Sequence, residues 1–213
     1  MLLSASRSRG ACEIEMGVGT MNRLAGFLVG MVGLSLAVFS GGALAATECN
    51  GVISGTVVGG VVVNAGDICI LGGPFGGPFV GANISGGVRI NTGGILIACA
   101  STINGGIVAN GAASVIIGAE EIDCPGSVIN GGVQISNTGP DDFPSGPPSI
   151  ALERSAIQGA VHLTGNQGHI AVATDTIAGG LFCSNNAFDL DDEHERGGTR
   201  PVVTGAIRCE FGD

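Results

Sequence analysis

From residue 57 onward, the chain repeats one short pattern: apolar, any, Gly, small, apolar, any, apolar. Seven copies of the pattern begin at Val57, Ile84, Ile103, Ile129, Ile157, Ile177 and Val203. Alternate positions are apolar or Gly, so each copy has the period of two of a β-strand with one buried face. Because Gly adopts backbone angles that other residues avoid, the middle of each copy predicts a bend between two strands.

The spacing of the copies predicts how they are arranged. Their first glycines lie 19 to 28 residues apart; the short spacings match one bare coil of a β-solenoid, and the long ones a coil that carries a loop. A single coil cannot bury its apolar face, whereas stacked coils share one continuous core. The sequence therefore predicts an all-β fold, a right-handed parallel β-helix of about seven short coils.

Two other β folds fit the pattern less well. A β-sandwich also has regularly spaced strands, but it does not require the same Gly bend in phase in every repeat. A left-handed β-helix has a six-residue rhythm, which is present at Ile84, Ile90 and Leu96 and then ends.

The N-terminal region predicts export. Residues 21–45 contain Arg23, an apolar run over residues 24–39 and a final Ala-Leu-Ala, which is the order of a cleaved signal peptide. The alternative is an uncleaved membrane anchor, because the apolar run approaches the length that spans a bilayer. Residues 1–20 include Glu13 and Glu15 and fit a leader poorly, so they are either a leader extension or precede the true start at Met21.

Residues 46–213 are expected to form a single β-helix domain with three loops. The loop at 72–81 contains a duplicated Gly-Gly-Pro-Phe, the loop at 137–149 is rich in Pro, and the loop at 184–201 is acidic. Each interrupts the repeat with turn-forming residues.

Six cysteines follow the predicted leader. They are Cys49, Cys69, Cys99, Cys124, Cys183 and Cys209. An even number in an exported chain indicates disulfides, and the absence of a C-x-x-C pair argues against a zinc site. Six cysteines allow fifteen pairings, of which in-register stacking of the coils selects 49–69, 99–124 and 183–209.

Composition and charge narrow the function. The 40 glycines of the chain have no triplet period and stand among many Val and Ile residues, which excludes collagen and a disordered linker. Removing residues 1–45 leaves 5 basic (8 − 3) and 16 acidic (18 − 2) residues, a formal charge of −11. There is no Lys, so we expect no binding to nucleic acid and none to a membrane after signal cleavage.

The repeat, Val-x-Gly-Gly-Val-x-Ile followed by a Gly-bearing turn, resembles the coils of secreted bacterial right-handed parallel β-helix proteins of unassigned function. It is also similar in rhythm to the bactofilins, a resemblance that implies polymerisation into filaments. Bactofilins lack a signal peptide and cystines, so this chain departs from them in compartment. Neither resemblance supplies a catalytic residue.

Polysaccharide lyases and glycosidases also use the parallel β-helix, so the predicted fold is compatible with catalysis. Arg89, His162 and Arg208 occupy the same outward position of three copies and could line one side of the molecule. No acidic residue shares that position from the first copy onward, so isolated solvated side chains are the simpler interpretation. A carbohydrate-active enzyme or glycan-binding module is kept as the alternative function.

An acidic segment provides the candidate metal ligands. Asp189, Asp191, Asp192 and Glu193 supply oxygens that could hold calcium weakly. Their spacing is not that of an EF-hand loop, so a solvated loop without any cofactor is expected.

These observations together predict an exported protein, secreted or part of the cell envelope, with a structural or surface-interaction role and no enzymatic activity. Self-association is expected because the two ends of a β-helix expose unpaired strand edges, which can pair with another chain.

Overall fold

A computed structural model of the protein describes residues 45–73, 77–140, 149–191 and 198–212. In these residues the chain forms a parallel β-helix of three sheets, and successive strands along the chain join the three sheets in turn. Residues 42–213 form a compact unit of their own. The predicted all-β, parallel-helical fold class is confirmed, whereas residues 1–44, which hold almost all of the predicted leader, lie outside the described residues.

Strands are numbered in chain order, and the sheets are called A, B and C. Sheet A stacks β1 (Thr47–Glu48), β4 (Val61–Val63), β7 (Val88–Ile90), β10 (Ile107–Asn110), β13 (Val133–Ser136), β16 (Val161–Thr164), β19 (Leu181–Ser184) and β21 (Ile207–Arg208). Sheet B stacks β2 (Gly51–Ile53), β5 (Ile68–Leu71), β8 (Ile95–Ala98), β11 (Ser114–Ile117), β14 (Ile150–Glu153) and β17 (Ile170–Ala173). Sheet C stacks β3 (Gly55–Val57), β6 (Ala82–Ile84), β9 (Thr102–Ile103), β12 (Val128–Ile129), β15 (Ala156–Ile157), β18 (Thr176–Ile177) and β20 (Val202–Val203).

Three consecutive strands, one from each sheet, make a coil. Coils 1 to 6 run from β1 to β18. In coil 7 two isolated bridges take the place of the sheet B strand, since Asp191 pairs with Ala171 and Leu190 pairs with Phe211. An eighth coil begins with β21 and ends where Phe211 bridges to Leu190. The seven coils from β1 to β20 agree with the prediction of about seven, and β21 with Phe211 adds part of an eighth.

Identical positions of successive coils stack into buried columns. In sheet C the inward column consists of Ile84, Ile103, Ile129, Ile157 and Ile177, each with 0% of its surface exposed. Burying one such side chain contributes about 1.5–3 kcal/mol. Since every strand of an interior coil pairs on both sides, the same columns also satisfy the backbone hydrogen bonds.

The Gly pairs form the corner between sheet C and sheet A, but not for the predicted reason. Among the first glycines of the pairs, only Gly59 has a left-handed φ, of 103°. The others are required by a close approach between coils, because a Cβ on Gly131 would lie 2.6 Å from the backbone nitrogen of Gly106. A Cβ on Gly179 would lie 2.5 Å from the nitrogen of Ala160. The prediction that unusual backbone angles select these glycines is therefore wrong for all but the first.

All three predicted disulfides are present. Cys49 pairs with Cys69, Cys99 with Cys124 and Cys183 with Cys209, with Cα–Cα distances of 5.3, 5.0 and 4.9 Å. The first joins coils 1 and 2, and the last joins coils 7 and 8. Each end of the β-helix is therefore cross-linked to the coil beside it.

Chain excursions between sheets B and C fold back over the outer face of sheet B. The excursion after β11 contains a short 3-10 helix, Glu120–Ile122. A small second apolar cluster consists of Cys99, Ile116, Ala119, Cys124 and Ala151, with Phe79, Ile97 and Ile122 packed against it. Within the described residues there is no helix long and apolar enough to cross a membrane.

Candidate interaction surfaces

The outward side chains of sheet A form one column along the β-helix. The strand register aligns Glu48, Val62, Arg89, Val108, Gln134, His162, Phe182 and Arg208. Adjacent strands are about 4.8 Å apart, so Arg89 and His162 are about 14 Å apart along the column, and His162 and Arg208 about 10 Å. The three predicted surface residues share a face, but the fold does not bring them together.

His162 is packed against an aromatic side chain. Its imidazole stacks on the ring of Phe182, with ring centroids 4.8 Å apart and an angle of 17° between the planes. Such a stack contributes packing energy at the surface. The group that covers one face of the imidazole is therefore a Phe ring, which neither donates nor accepts protons.

Arg208 lines a groove at the C-terminal end of the β-helix. The groove has a volume of about 430 Å³, and its walls include Phe188, Asp189, Arg208 and Glu210. Within the described part of the chain, no hydrogen bond or ion pair joins Arg208 to either carboxylate. A cation, two acids and an exposed aromatic ring therefore line one groove, and in the described structure the cation is not paired with either acid.

The described part of the acidic segment does not converge on one point. Asp189 faces the C-terminal groove, whereas Oδ2 of Asp191 lies 3.1 Å from Nε2 of His169. Leu190, between them, is buried with 1% of its surface exposed. The other two calcium candidates, Asp192 and Glu193, lie outside the described residues. Nowhere in the described ranges do three His, Cys, Asp or Glu side chains cluster as metal ligands.

A buried polar ladder lies at the corner between sheets B and C. The backbone N–H of Ser101 donates to Oγ of Ser127 at 3.1 Å, and that of Ser127 donates to Oγ of Ser155 at 3.0 Å. The N–H of Ser155 then donates to Oδ1 of Asp175 at 2.6 Å. All four side chains are buried. Pro201 follows in the next coil, since Val202 pairs with Thr176, and without a side-chain oxygen it ends the ladder.

Asp175 carries an ionisable group into this ladder. Burial raises the pKa of its carboxyl well above the usual value, and the nearby carboxylate of Glu153 raises it further, against the opposing effect of the Ser155 N–H. Oδ2 of Asp175 has no hydrogen-bond partner in the described structure. Because desolvation disfavours the charged form, ionising Asp175 costs folding free energy.

Sequence reasoning missed this ladder, although a signal was present. Ser101, Ser127, Ser155 and Asp175 each stand two residues before the first apolar position of a copy. A small polar residue recurring in phase with a buried column indicates a buried position that needs a hydrogen-bonding side chain.

The outer face of sheet C carries no charged side chain in its described strands. Its outward positions are Thr56, Val58, Asn83, Ser85, Thr102, Asn104, Val128, Asn130, Ala156, Gln158, Thr176, Ala178, Val202 and Thr204. Amide ladders run along it, since Nδ2 of Asn104 donates to Asn83 at 3.0 Å and Nδ2 of Asn130 to Asn104 at 2.9 Å. Association through this face would be independent of charge.

The two ends of the β-helix are the remaining surfaces. Strands β1, β2 and β3 each pair with one other strand, as do β20 and β21 at the opposite end. Side chains there are exposed, with 50% of Ile207 and 64% of Val202 accessible. Glu48 and Arg208 occupy the same outward position of sheet A in the first and last coils.

No protein-family model, no curated protein and no solved structure matches this chain. Inferences about function therefore rest on the surfaces of the molecule itself.

Proposed function

We propose that this is an exported, non-enzymatic structural protein of the cell envelope or extracellular space that self-associates through its ends. The observation that carries the proposal is the single-sided pairing of the terminal strands β1, β2, β3, β20 and β21. A strand with one unpaired edge presents a row of backbone donors and acceptors that another strand can satisfy. The resemblance of the coil rhythm to bactofilins, which polymerise into filaments, agrees with an assembling role.

Export is supported by the cysteines and by the predicted leader. Three disulfides hold the chain, and such bonds form and persist in oxidising compartments such as the periplasm and the extracellular space. A signal peptide over residues 21–45, cleaved after Ala45, would deliver the chain to that environment.

A structural role is supported by the separation of the reactive side chains. Arg89 and His162 stand about 14 Å apart along sheet A, and His162 contacts a Phe ring rather than a carboxylate. General acid–base chemistry requires a proton donor and acceptor that both reach the reacting group. The described side chains of this column do not form such a pair.

Self-association can be measured directly on residues 46–213, purified from the periplasm of an expression host with disulfides intact. We expect the weight-average mass in sedimentation equilibrium to rise with protein concentration. A constant monomer mass from micromolar to millimolar concentrations would overturn the proposal.

The C-terminal groove favours a glycan-binding module or a carbohydrate-active enzyme as the second candidate. Glycoside hydrolysis uses a pair of carboxylates that flank the sugar bond. The groove contains two carboxylates, Asp189 and Glu210, beside Arg208 and the aromatic ring of Phe188. A glycan array and a polysaccharide-cleavage screen test this directly. Glycan binding or cleavage that is lost in Arg208→Ala and retained in Arg89→Ala would establish this candidate. If the wild-type protein neither binds a glycan nor cleaves a polysaccharide, the candidate is removed.

A further inference from the structure

We propose that copies of this chain stack head to tail, with β21 of one copy pairing in parallel with β1 of the next and Arg208 beside Glu48. The inference rests on the proposed end-to-end association and specifies its partner surface, direction and register. The occupant of each open end is thus the opposite end of a second copy.

The backbone hydrogen bonds of sheet A form a series that the second copy would continue. In each coil the first residue of the sheet A strand donates its N–H to a carbonyl of the next coil, at 2.8–3.0 Å. The acceptor residue directly precedes the sheet A strand of that next coil and is the second residue of the corner between sheets C and A. The pairs are Thr47 to Gly60, Val61 to Gly87, Val88 to Gly106, Ile107 to Gly132, Val133 to Ala160, Val161 to Gly180 and Leu181 to Ala206. The next donor is the N–H of Ile207. The matching acceptor in a second copy is the carbonyl of Ala46, which precedes Thr47 as Gly60 precedes Val61.

The side chain of Ala206 fits the contact with the next copy. Ala160 and Ala206 occupy the same second corner position in coils 6 and 8. Ala160 does so in the interior of the β-helix, between the coils that contain Gly132 and Gly180. A Cβ at this position faces a carbonyl oxygen of the following coil, at 2.9 Å on Gly132, and Ala160 shows that a methyl group is accommodated there. The methyl of Ala206 would therefore fit against the carbonyl of Ala46 in the next copy.

The charges of the outward column select the direction of stacking. Glu48 and Arg208 are both exposed, and neither forms an ion pair in the described structure. Head-to-tail stacking aligns them on neighbouring parallel strands, where opposite charges are favourable. Head-to-head stacking would instead bring two copies of Glu48, or two of Arg208, onto facing strands, and like charges there are destabilising.

Sheets A and B carry the contact, and sheet C does not. Phe211 extends the sheet B column that begins at Gly51, so Gly51 of the next copy follows it. The described residues of coil 8 contain no sheet C strand, so β20 and β3 of the next copy would stand about 10 Å apart, two strand spacings.

Residue 45 would obstruct the same contact. It occupies the first corner position of coil 1, which is Gly in all seven later corners. At that position a Cβ points at the preceding coil; on Gly205 it would lie 2.6 Å from the carbonyl oxygen of Gly179. The Cβ of Ala45 would meet the backbone of Gly205 and Ala206 of the neighbouring copy in the same way. Cleavage after Ala45 removes this obstacle, which couples assembly to processing of the leader.

The register is tested by a disulfide between copies. We expect the chain with both Glu48→Cys and Arg208→Cys to form a ladder of linked oligomers on mild oxidation, with the three native disulfides verified by peptide mapping. A second chain, with Glu48→Cys and Val202→Cys, would be linked efficiently only if the next copy were rotated so that its sheet A followed sheet C. A chain with Arg208→Cys alone would form a linked dimer only if the C-terminal ends of two copies paired with each other. Linkage as efficient in either of these chains as in the first would overturn the proposed register.

Charge exchange supplies an independent measurement. Glu48→Arg or Arg208→Glu should raise the concentration at half-assembly roughly threefold to tenfold, the range for an exposed ion pair replaced by repulsion. The double variant should return to the wild-type value. Val128→Arg, on the outer face of sheet C, should have no effect, and a loss of assembly in that variant would instead indicate lateral association.

The obstruction by residue 45 is tested with a chain that begins at Gly41. It should assemble more weakly than the chain that begins at Ala46, and Ala45→Gly in the longer chain should restore assembly. Equal assembly of all three would refute the obstruction. A wild-type chain that remains monomeric refutes the proposed function, whereas assembly without a 48–208 linkage and without charge dependence refutes only this register.

Discussion

The two corner residues, which are both Gly in five of the seven copies, differ in what surrounds them. The first faces backbone atoms of the preceding coil, which cannot move without shifting the whole sheet. The second faces one carbonyl oxygen of the following coil, at 2.9 Å for Gly132, and Ala160 shows that this contact can relax. The repeat therefore requires Gly at the first position and any small residue at the second.

Gly131→Ala and Gly132→Ala form a matched pair that tests this distinction. We expect Gly131→Ala to lower the free energy of unfolding by about 1–3 kcal/mol, the usual cost of overpacking. Gly132→Ala should lower it by less than about 1 kcal/mol. Urea unfolding followed by circular dichroism measures both, and equal losses would contradict the steric account.

Asp175 predicts an unusual dependence of stability on pH. Its folded pKa is raised above the unfolded value of about 3.9, mainly by burial. The folded state therefore holds the proton more tightly, so this contribution is fully present at pH below about 3.9 and is lost as pH rises through the folded pKa.

Asp175→Asn keeps an oxygen that can accept from the Ser155 N–H but removes the charge. We expect its thermal midpoint at pH 8 to exceed that of the wild type, and the difference to vanish near pH 3. Asp123→Asn, an exposed change, is the control and should show no such pH-dependent gain. A lower midpoint for Asp175→Asn at pH 8 would mean that the ionised carboxylate stabilises the fold.

At the scale of elements, the disulfides differ in position rather than in loop length. Cys99–Cys124 spans 25 residues and Cys183–Cys209 spans 26, so their effects on the entropy of the unfolded chain are nearly equal. The first lies in the small cluster outside sheet B, while the second holds the last coil to its neighbour. Any difference between a chain that lacks the first disulfide and a chain that lacks the second is therefore due to the position of the disulfide.

Replacing both cysteines of a pair by Ser should cost about 2–4 kcal/mol of unfolding free energy in either case. We expect only Cys183→Ser with Cys209→Ser to expose the C-terminal coil to proteolysis under native conditions. Limited trypsin digestion, read by mass spectrometry for cleavage after Arg208, distinguishes the two. Cleavage after Arg208 in both variants would show that the central disulfide also holds the end.

At the scale of the whole molecule, the β-helix is a linear array in which each coil contacts only its neighbours along the stack. Stability in such arrays is a sum of coil terms and interface terms, and end coils have half the interfaces. Local opening should therefore begin at the ends even with their cystines in place.

Native-state hydrogen exchange should show this gradient. We expect amides of β8, β11 and β14, in the middle of sheet B, to exchange slowest, and those of β20 and β21 to exchange fastest. Conditions that promote assembly should selectively slow exchange in β1 and β21. Uniform protection along a monomeric chain would instead indicate one cooperative unit without end fraying.

The repeat by itself determined the fold class, the number of coils and the three disulfides. The reason is physical: in a β-helix the spatial neighbour of each residue is its counterpart one repeat later, so a periodic sequence specifies its own contacts. Cys183 and Cys209 occupy the same position of consecutive copies, and stacking alone brings them together.

Only the tertiary structure decided the distances and the packing between coils. The distances among Arg89, His162 and Arg208 depend on how many coils separate them, and the covering of sheet B depends on excursions of irregular length. The burial of Asp175 depends on the packing of the corner in which it lies, and the need for Gly131 depends on how closely two coils approach. None of these follows from the local alternation of apolar and polar residues, because each is set by the distances and the packing between coils, which the pattern within one copy does not specify.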